Sequence, residues 1–344
     1  MSDGRLETVP GSIWFYAPNQ GAPVFFTVAF AASGIFHLWQ CIHYKSFWVT
    51  FYLPFCCALF TAGFALREYG AFHYDHVYVY LASTLLVYMS PPILELANYH
   101  ILGRTLHYLP YFSPIHPGRV LSTLGTLSAV VEILNALGVA YLANPTLASS
   151  RRELGHDLLR ASLALQLAVI TLFFTLAGLF HARVARAGIA APRARAVLLT
   201  LYASMALILA RTIYRGAEHF GAAGLAVGPG SGPGSEPEAL LSPIMRYEWF
   251  FYVFEAAPML VNSVMWNVRH PRRYLPQSYK VYLAQDGSTE LMGPGWGDKR
   301  NVVMTFVDPF GLVAMCEPGK KGEQFWESNG YHHLLRGKEQ NEGV

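Results

Sequence analysis

The chain has 344 residues, of which 53% are hydrophobic and only 14% charged, against about a quarter charged in soluble globular proteins, so an ordinary water-soluble fold is excluded. A formal net charge of +3, with no Lys/Arg block interleaved with aromatic residues, excludes nucleic acid as a partner. Cys41, Cys56 and Cys57 lie inside apolar runs and Cys316 in a polar tail, so neither a disulfide framework nor a Cys/His metal box is expected, and no cofactor motif is present.

The first 22 residues lack the basic and apolar regions of a cleaved signal peptide, so the first membrane helix is expected to direct targeting. A helix crossing about 30 Å of hydrocarbon needs roughly 20 apolar residues. Seven segments meet that length: Pro23 to His43, Phe47 to Leu66, Val77 to Leu102, Leu121 to Leu142, Leu158 to Ala182, Ala196 to Tyr214, and Trp249 to Val268. Pro54, Pro91, Pro92 and Pro258 fall within them and predict kinks, since neighbouring helices satisfy the freed carbonyls. Trp14, Phe15 and Tyr16 precede the first segment, and Trp48, Trp249, Trp266 and Tyr274 lie near other ends, as an interfacial aromatic belt requires. The expected fold is an all-α membrane protein, a seven-transmembrane helix bundle over residues 23–276, with an extracellular segment 1–22 and a cytoplasmic tail 277–344.

Orientation follows from the loops. Lys45, Arg104, Arg119, Arg183, Arg186, Arg193, Arg195, Arg269, Arg272 and Arg273 fall on one side, against Arg5, Arg67, Arg151, Arg152, Arg215 and Arg246 on the other. Positive charge stays inside, which puts the N-terminus outside and the C-terminus in the cytoplasm. The run from Val227 to Pro237 (VGPGSGPGSEP) is expected to be a flexible outer loop. In the tail, Asp286-Gly287 between Tyr279 to Ala284 and Thr289 to Met292 predicts a short hairpin, and the Gly/Lys/Glu/Gln-rich end from Gly319 predicts disorder.

Ionisable side chains in a bilayer cost at least ~2.5 to 3.5 kcal/mol each and usually face the bundle interior, so each needs a reason. Arg211, Arg215 and Glu218 share one helix face, and Glu248, Tyr252, Glu255 and Met259 share one on the next helix. Arg211 and Glu255 are candidates for an ion pair, either structural or part of a polar vestibule for a charged head group. Glu68, beside Arg67, either joins that cluster or is a solvated interfacial carboxylate. Glu132 sits near the middle of the fourth segment with Asn135 on the same face. A midplane carboxylate is either protonated and hydrogen-bonded or paired with a cation, which can be substrate. On the inner half, His37, Glu95, Asn98 and Tyr99 extend the polar groups toward Gly103-Arg104; for His37 hydrogen bonding across helices is the ordinary role and metal ligation the rare one. Together they sketch a polar route of the kind a carrier needs.

The run Arg211-Thr-Ile-Tyr214-Arg215-Gly-Ala-Glu218 with Gly221 and Gly224, then Glu248-Trp-Phe-Phe-Tyr252-Val-Phe-Glu255 with Met259, closing on His270-Pro271, resembles the signature of the fungal lipid-translocating exporters, the resistance-to-aminocholesterol proteins. Tyr16-Ala-Pro18, His37, Glu68-Tyr69-Gly70, Pro92, Tyr99, Gly103-Arg104 and Asn135-Ala-Leu-Gly138 fall where that family has similar elements, and Tyr282-Leu-Ala-Gln-Asp286-Gly287 is similar as well. Coverage is roughly residues 14–276. Ser128 stands where the family carries Asp, with Glu132 one turn later; Asn135 replaces Gln and Glu255 replaces Asp.

The resemblance implies a seven-helix protein of fungal membranes, the plasma membrane foremost and an endomembrane as the alternative, that exports or flips amphipathic lipids such as long-chain bases, or lipid-like toxic compounds, and gives resistance to toxic amphiphiles. Its partners would be membrane lipids and an amphipathic small molecule, bound by Glu132, Asn135, Glu68, Glu218, Glu248, Glu255, Tyr252, Arg211, Arg215, Tyr99 and His37. No nucleotide-binding loop is present, so the chain carries no ATP engine. Two other classes share the topology: a seven-helix receptor signalling through its tail, and a membrane enzyme using Glu132 and His37 as acid and base. The sequence offers no nucleophile motif for the latter, and nothing in it sets an oligomeric state.

Overall fold

A backbone in hydrocarbon must satisfy its own N–H and C=O groups, and a helix does so within a single segment. The computed structural model of the chain describes residues 19–73, 76–143, 148–227, 247–278, 280–284, 286–287 and 289–293. In chain order it contains α1 (Ala22–His43), the single turn α2 (Phe47–Thr50), α3 (Tyr52–Phe72), α4 (Val77–Tyr108), α5 (Val120–Ala143), α6 (Ser149–Arg186) and α7 (Pro192–Val227). The last helical run starts with α8 (Trp249–Phe251), passes through a π-helical turn (Tyr252–Ala256) and continues as α9 (Ala257–Val268). Strands β1 (Val281–Leu283) and β2 (Glu290–Met292) pair antiparallel with Tyr282 opposite Leu291.

Among the described residues, five helical stretches are long and apolar enough to cross a membrane: Ala22–His43, Tyr78–Tyr108, Pro117–Leu142, Ser149–Arg186 and Pro192–His219. Apolar side chains crowd the exterior, with Phe25 61%, Ile35 70% and Ile133 59% exposed, while Ser33, Gln40, Asn98, Ser204 and Asn262 are buried. That arrangement inverts a soluble protein and suits a lipid solvent. The chain is an all-α membrane protein.

Several elements differ in extent from expectation. Helices α4, α6 and α7 run past the ends of the apolar segments, because good helix formers such as Arg151, Arg152 and Glu153 continue the backbone pattern into the polar zone. Helix α4 passes unbroken through Pro91 and Pro92. At Pro258, which cannot donate to the preceding turn, the irregularity takes the form of the π turn just before it. Trp14, Phe15 and Tyr16-Ala-Pro18, the Gly/Pro/Ser run from 228 to 237, Cys316 and the tail end from Gly319 lie outside the described residues.

The helices form a ring in the order α1, α3, α4, α5, α6, α7, α9, closed by α9 on α1, with α4 and α7 touching across it. Because lipid tails supply no hydrophobic drive between helices, small residues and hydrogen bonds hold such contacts. At the closure, Ser33 Oγ lies 2.6 Å from Ser263 Oγ, Asn267 Nδ2 donates to Ser33 Oγ at 2.6 Å, and Gln40 Nε2 donates to Asn267 O at 2.8 Å. Across the ring, Asn98 Nδ2 (2.7 Å) and Trp266 Nε1 (3.2 Å) donate to Ser204 Oγ, which donates to Asn262 Oδ1 at 2.8 Å.

The strand pair is the hairpin expected around Asp286-Gly287, with Gly287 at φ 75. It docks on one end of the bundle, hereafter the hairpin end. Arg104 Nη2 donates to Ser278 O at 2.6 Å, Tyr108 OH donates to Glu290 Oε1 at 3.1 Å, and a Cβ on Gly287 would meet Ala190 O at 3.1 Å. The opposite end, where α7 leaves and α8 returns, is the loop end.

Candidate functional site

A cavity of about 200 Å³ opens between α4, α5, α6 and α7 in the half of the bundle toward the loop end. Helix α5 contributes Glu132 and Asn135, α6 contributes Ser162 and Gln166, α7 contributes Arg211, Arg215 and His219, and α4 contributes Tyr88. Their spacing along α5 and α7, three to four residues apart, is what turns them to one face of each helix. The close approach of α5 and α6 beside it depends on two glycines: a Cβ on Gly138 would lie 2.7 Å from Leu159 Cγ and 3.0 Å from Gly155 O.

Both cavity arginines are already paired. Arg211 donates from Nε (2.7 Å) and Nη2 (2.5 Å) to Oε1 of Glu255, whose side chain is fully buried in the π turn; Oε2 of Glu255 has no partner among the described residues. Arg215 Nη1 donates to Glu218 Oε2 at 2.5 Å and to Tyr88 OH at 2.9 Å, and its guanidinium lies 4.0 Å above the Tyr88 ring. Glu132, half-buried in the cavity wall, makes no hydrogen bond or ion pair with any described residue. It feels Arg211 electrostatically but bonds to no cation among the described residues.

Behind the wall lies a second buried carboxylate, 1% exposed, on Glu95 of α4. Tyr99 OH donates to its Oε2 at 2.9 Å, Gln166 Nε2 donates to its Oε1, and Tyr99 OH is also 3.1 Å from Ser128 Oγ. Gln166 thus touches the cavity with one side and Glu95 with the other. Glu95 feels both Arg211 and Glu132 electrostatically. Of the residues expected from sequence, the cavity gathers Glu132, Asn135, Arg211 and Arg215 directly, Glu218 and Glu255 as their partners, and Tyr99 behind Glu95.

Glu248 and Tyr252 belong to a separate knot. Arg67 of α3 donates to Glu248 Oε1 from Nη2 at 2.8 Å, Tyr252 OH donates to the same oxygen at 2.9 Å, and Asn19 N donates to Oε2 at 2.7 Å. With four donors counting Arg67 Nε at 3.3 Å, this carboxylate ties the start of α1 to α3 and α8. The π turn explains the separation. Its extra residue per turn breaks the α-helical register between Glu248 and Glu255, so the former faces α3 and the latter α7. Glu68 lies close enough to feel Glu248 but pairs with no described residue, its Oε2 being buried. His37 sits in the α1–α9 seam, its Nε2 3.1 Å from Ser263 O, away from the cavity wall.

Glu95, Gln166 and Tyr88 complete the site, and Arg67 completes the separate knot around Glu248. Gln166 carried a usable signal, an amide in the middle of an apolar segment, and Arg67 another, a charge next to Glu68 at a helix end. A larger cavity of about 470 Å³ between α6 and α7 near the hairpin is lined by Phe180, Val184, Ile189, Pro192 and other residues, with no carboxylate among them. It lacks the charge pattern of a cation site.

Comparison with known proteins agrees with this architecture. The family model described as "RTA1 like protein" matches residues 53–278, more than half of the chain, from α3 through the start of the tail. A protein named "Lipid-translocating exporter-like protein RTA1" from Leptosphaeria maculans is 46% identical over 302 residues, covering 85% of this chain and 57% of its own length. "Protein RTA1" from Saccharomyces cerevisiae is 26% identical, covering 83% of this chain and 93% of its own. A "Probable lipid transporter atnI" from Emericella nidulans is 24% identical, covering 77% and 69%. No solved structure matches. The chain spans little more than half of the Leptosphaeria relative. The match enters in the first turns of α3 and holds through every cavity-lining helix to the residues that lead into the hairpin, and on that extent the chain belongs to the RTA1-like family.

Proposed function

We propose that this protein translocates amphipathic lipids that carry a cationic head group, of the long-chain-base kind, and that the α4–α7 cavity receives the head group. One observation supports the reading above the others: Arg211 and Arg215 already have carboxylate partners, while Glu132 faces the cavity with no bonded partner among the described residues. An ammonium group is what completes it. At about 200 Å³ the cavity is smaller than the ~300 to 1,000 Å³ of sites that enclose a whole ligand, so it suits a head group whose tail stays in lipid. Val139, 49% exposed, lines the same space and places its edge on the lipid-facing surface. The relatives' names, lipid-translocating exporter and lipid transporter, point the same way.

The reading includes seven crossings with the N-terminus outside, the C-terminus cytoplasmic and the plasma membrane as the site of action. Helix α3, at 21 residues, is about 31 Å long, enough to span. The helical run from Trp249 to Val268 is comparable. It is a translocator rather than an enzyme or a receptor, with membrane lipids as its surroundings and no cofactor. Glu132→Gln tests it. The variant should fold and reach the membrane yet abolish uptake of a labelled long-chain amine by proteoliposomes and protection of expressing yeast against such amines. Unchanged uptake and protection would remove Glu132 from the site and the proposal with it.

A further inference from the structure

Arg211 is bonded to the carboxylate of Glu255 and is felt electrostatically by those of Glu95 and Glu132, while Arg215 is paired with Glu218. Two negative charges are therefore uncompensated in a low-dielectric space when no substrate is bound. Uncompensated buried charge costs several kcal/mol, and in practice such groups take up a counter-cation or a proton.

We propose that ammonium head groups and protons compete for the Glu132/Glu95 pair, so that the protein works as a proton-coupled exchanger; this rests on the head-group reading of the cavity. The balance is simple: an ammonium cation enters, a carboxyl O–H breaks, and the proton leaves to solvent, with net charge in the site preserved. The surroundings of Glu95 are built for two protonation states. When it is ionised, Tyr99 OH and Gln166 Nε2 each donate to one of its oxygens. When it is protonated, Tyr99 can turn its hydrogen to Ser128 Oγ, 3.1 Å away, and accept from Glu95 instead, so neither state strands a buried polar group. Gln166 bonds Glu95 and also lines the cavity that Glu132 faces, so it stands between the two carboxylates' surroundings.

The other titratable groups facing the pair do not replace it. Tyr88 and Tyr99 come from α4. From α6 and α7 come His156 and His219, whose rings are 5.8 Å apart at the loop end, where His219 feels Arg215 and Glu218. Arg211, Arg215 and Glu255 are engaged as described.

The test is isothermal titration of the detergent-solubilised full chain with dodecylamine, in two buffers of different ionisation enthalpy, with Glu132→Gln protein as the micelle-partition control. Exchange predicts release of about one proton per bound amine and a dissociation constant that weakens about tenfold for each pH unit lowered. Glu95→Gln lets Arg211 serve Glu132 without division among three carboxylates, so the proton count per bound amine should fall well below the native value whatever the affinity. Amine binding with buffer-independent heat and flat pH dependence in the native protein overturns the exchange while leaving the head-group site standing. Native release from Glu95→Gln overturns the role of the pair. Absence of native heat above the control overturns the underlying site, and the native pH series keeps the question answerable if the variant does not fold.

Discussion

Replacing Arg211 by Gln removes the one donor, among the described residues, to a carboxylate that is fully buried: Glu255 has 0% side-chain exposure, both guanidinium bonds go to its Oε1, and its Oε2 has no partner there. Breaking a buried pair from one side costs about 3 to 5 kcal/mol, because the surviving charge stays desolvated. For a domain of this size each kcal/mol moves Tm by about 2 to 4 °C, so the variant should melt on the order of 10 °C lower. Glu255→Gln should cost less than Arg211→Gln, since the freed guanidinium still has Glu132 and Glu95 within its field. The double variant should recover much of the loss. Cys41, Cys56 and Cys57 are buried free thiols and make a built-in reporter: a thiol-reactive fluorophore reads their exposure during a thermal ramp in mild detergent. Simple additivity of the two single losses, or a larger loss for Glu255→Gln, would refute the account of Arg211 as the shared counter-charge.

Gly138→Ala should destabilise by about 1 to 3 kcal/mol and narrow the cavity, because the added methyl meets Leu159 at 2.7 Å and a backbone oxygen at 3.0 Å; the thermal ramp and amine titration read both effects. Arg67→Gln should loosen the loop end by leaving Glu248 with neutral donors only, and protease cleavage near residue 19 should quicken while amine affinity at the cavity stays within about twofold, as expected for a distant site. Beyond the end of α9, burial first, and then the neighbouring charges, hold the His270 imidazole down to about 3 from its ordinary 6.5. The unfolded chain therefore binds this proton and the native one does not between those values, so stability is full above pH 6.5 and is lost as pH falls toward 3. His270→Asn should flatten that part of a pH series of Tm, and an unchanged slope would exclude His270 as its source.

Length and hydropathy made the helices legible, since a helix that crosses a bilayer needs an apolar stretch of about that length. Face-sharing along one helix was legible too: Arg211, Arg215 and Glu218 do line up, and Arg211 does meet Glu255. Contacts that depend on how helices are arranged around the ring were not. Glu248 shares a nominal stripe with Glu255, yet the π turn before Pro258 rotates it to Arg67, and no spacing rule signals a π turn. The partnership of Glu95 with Gln166 joins α4 to α6 across 71 positions of sequence, and only packing reveals it. His37 and Glu132 look alike as lone polar groups in apolar runs; the seam that absorbs one and the cavity that exposes the other exist only in three dimensions.

The seam between the first and last helices also governs how the protein can be made. Ser33 bonds to Ser263 and Asn267, His37 to Ser263, and Gln40 to Asn267, partners separated by 226 to 234 positions. Until the ribosome has delivered α9, the first helix sits in the membrane with a polar stripe that lacks its α9 partners. Membrane insertion can proceed helix by helix, but the assembly step waits for the whole chain. A product truncated before Trp249 would display that stripe to lipid, a ready mark for membrane quality control, while a separately synthesised α9 would supply the missing half of the seam.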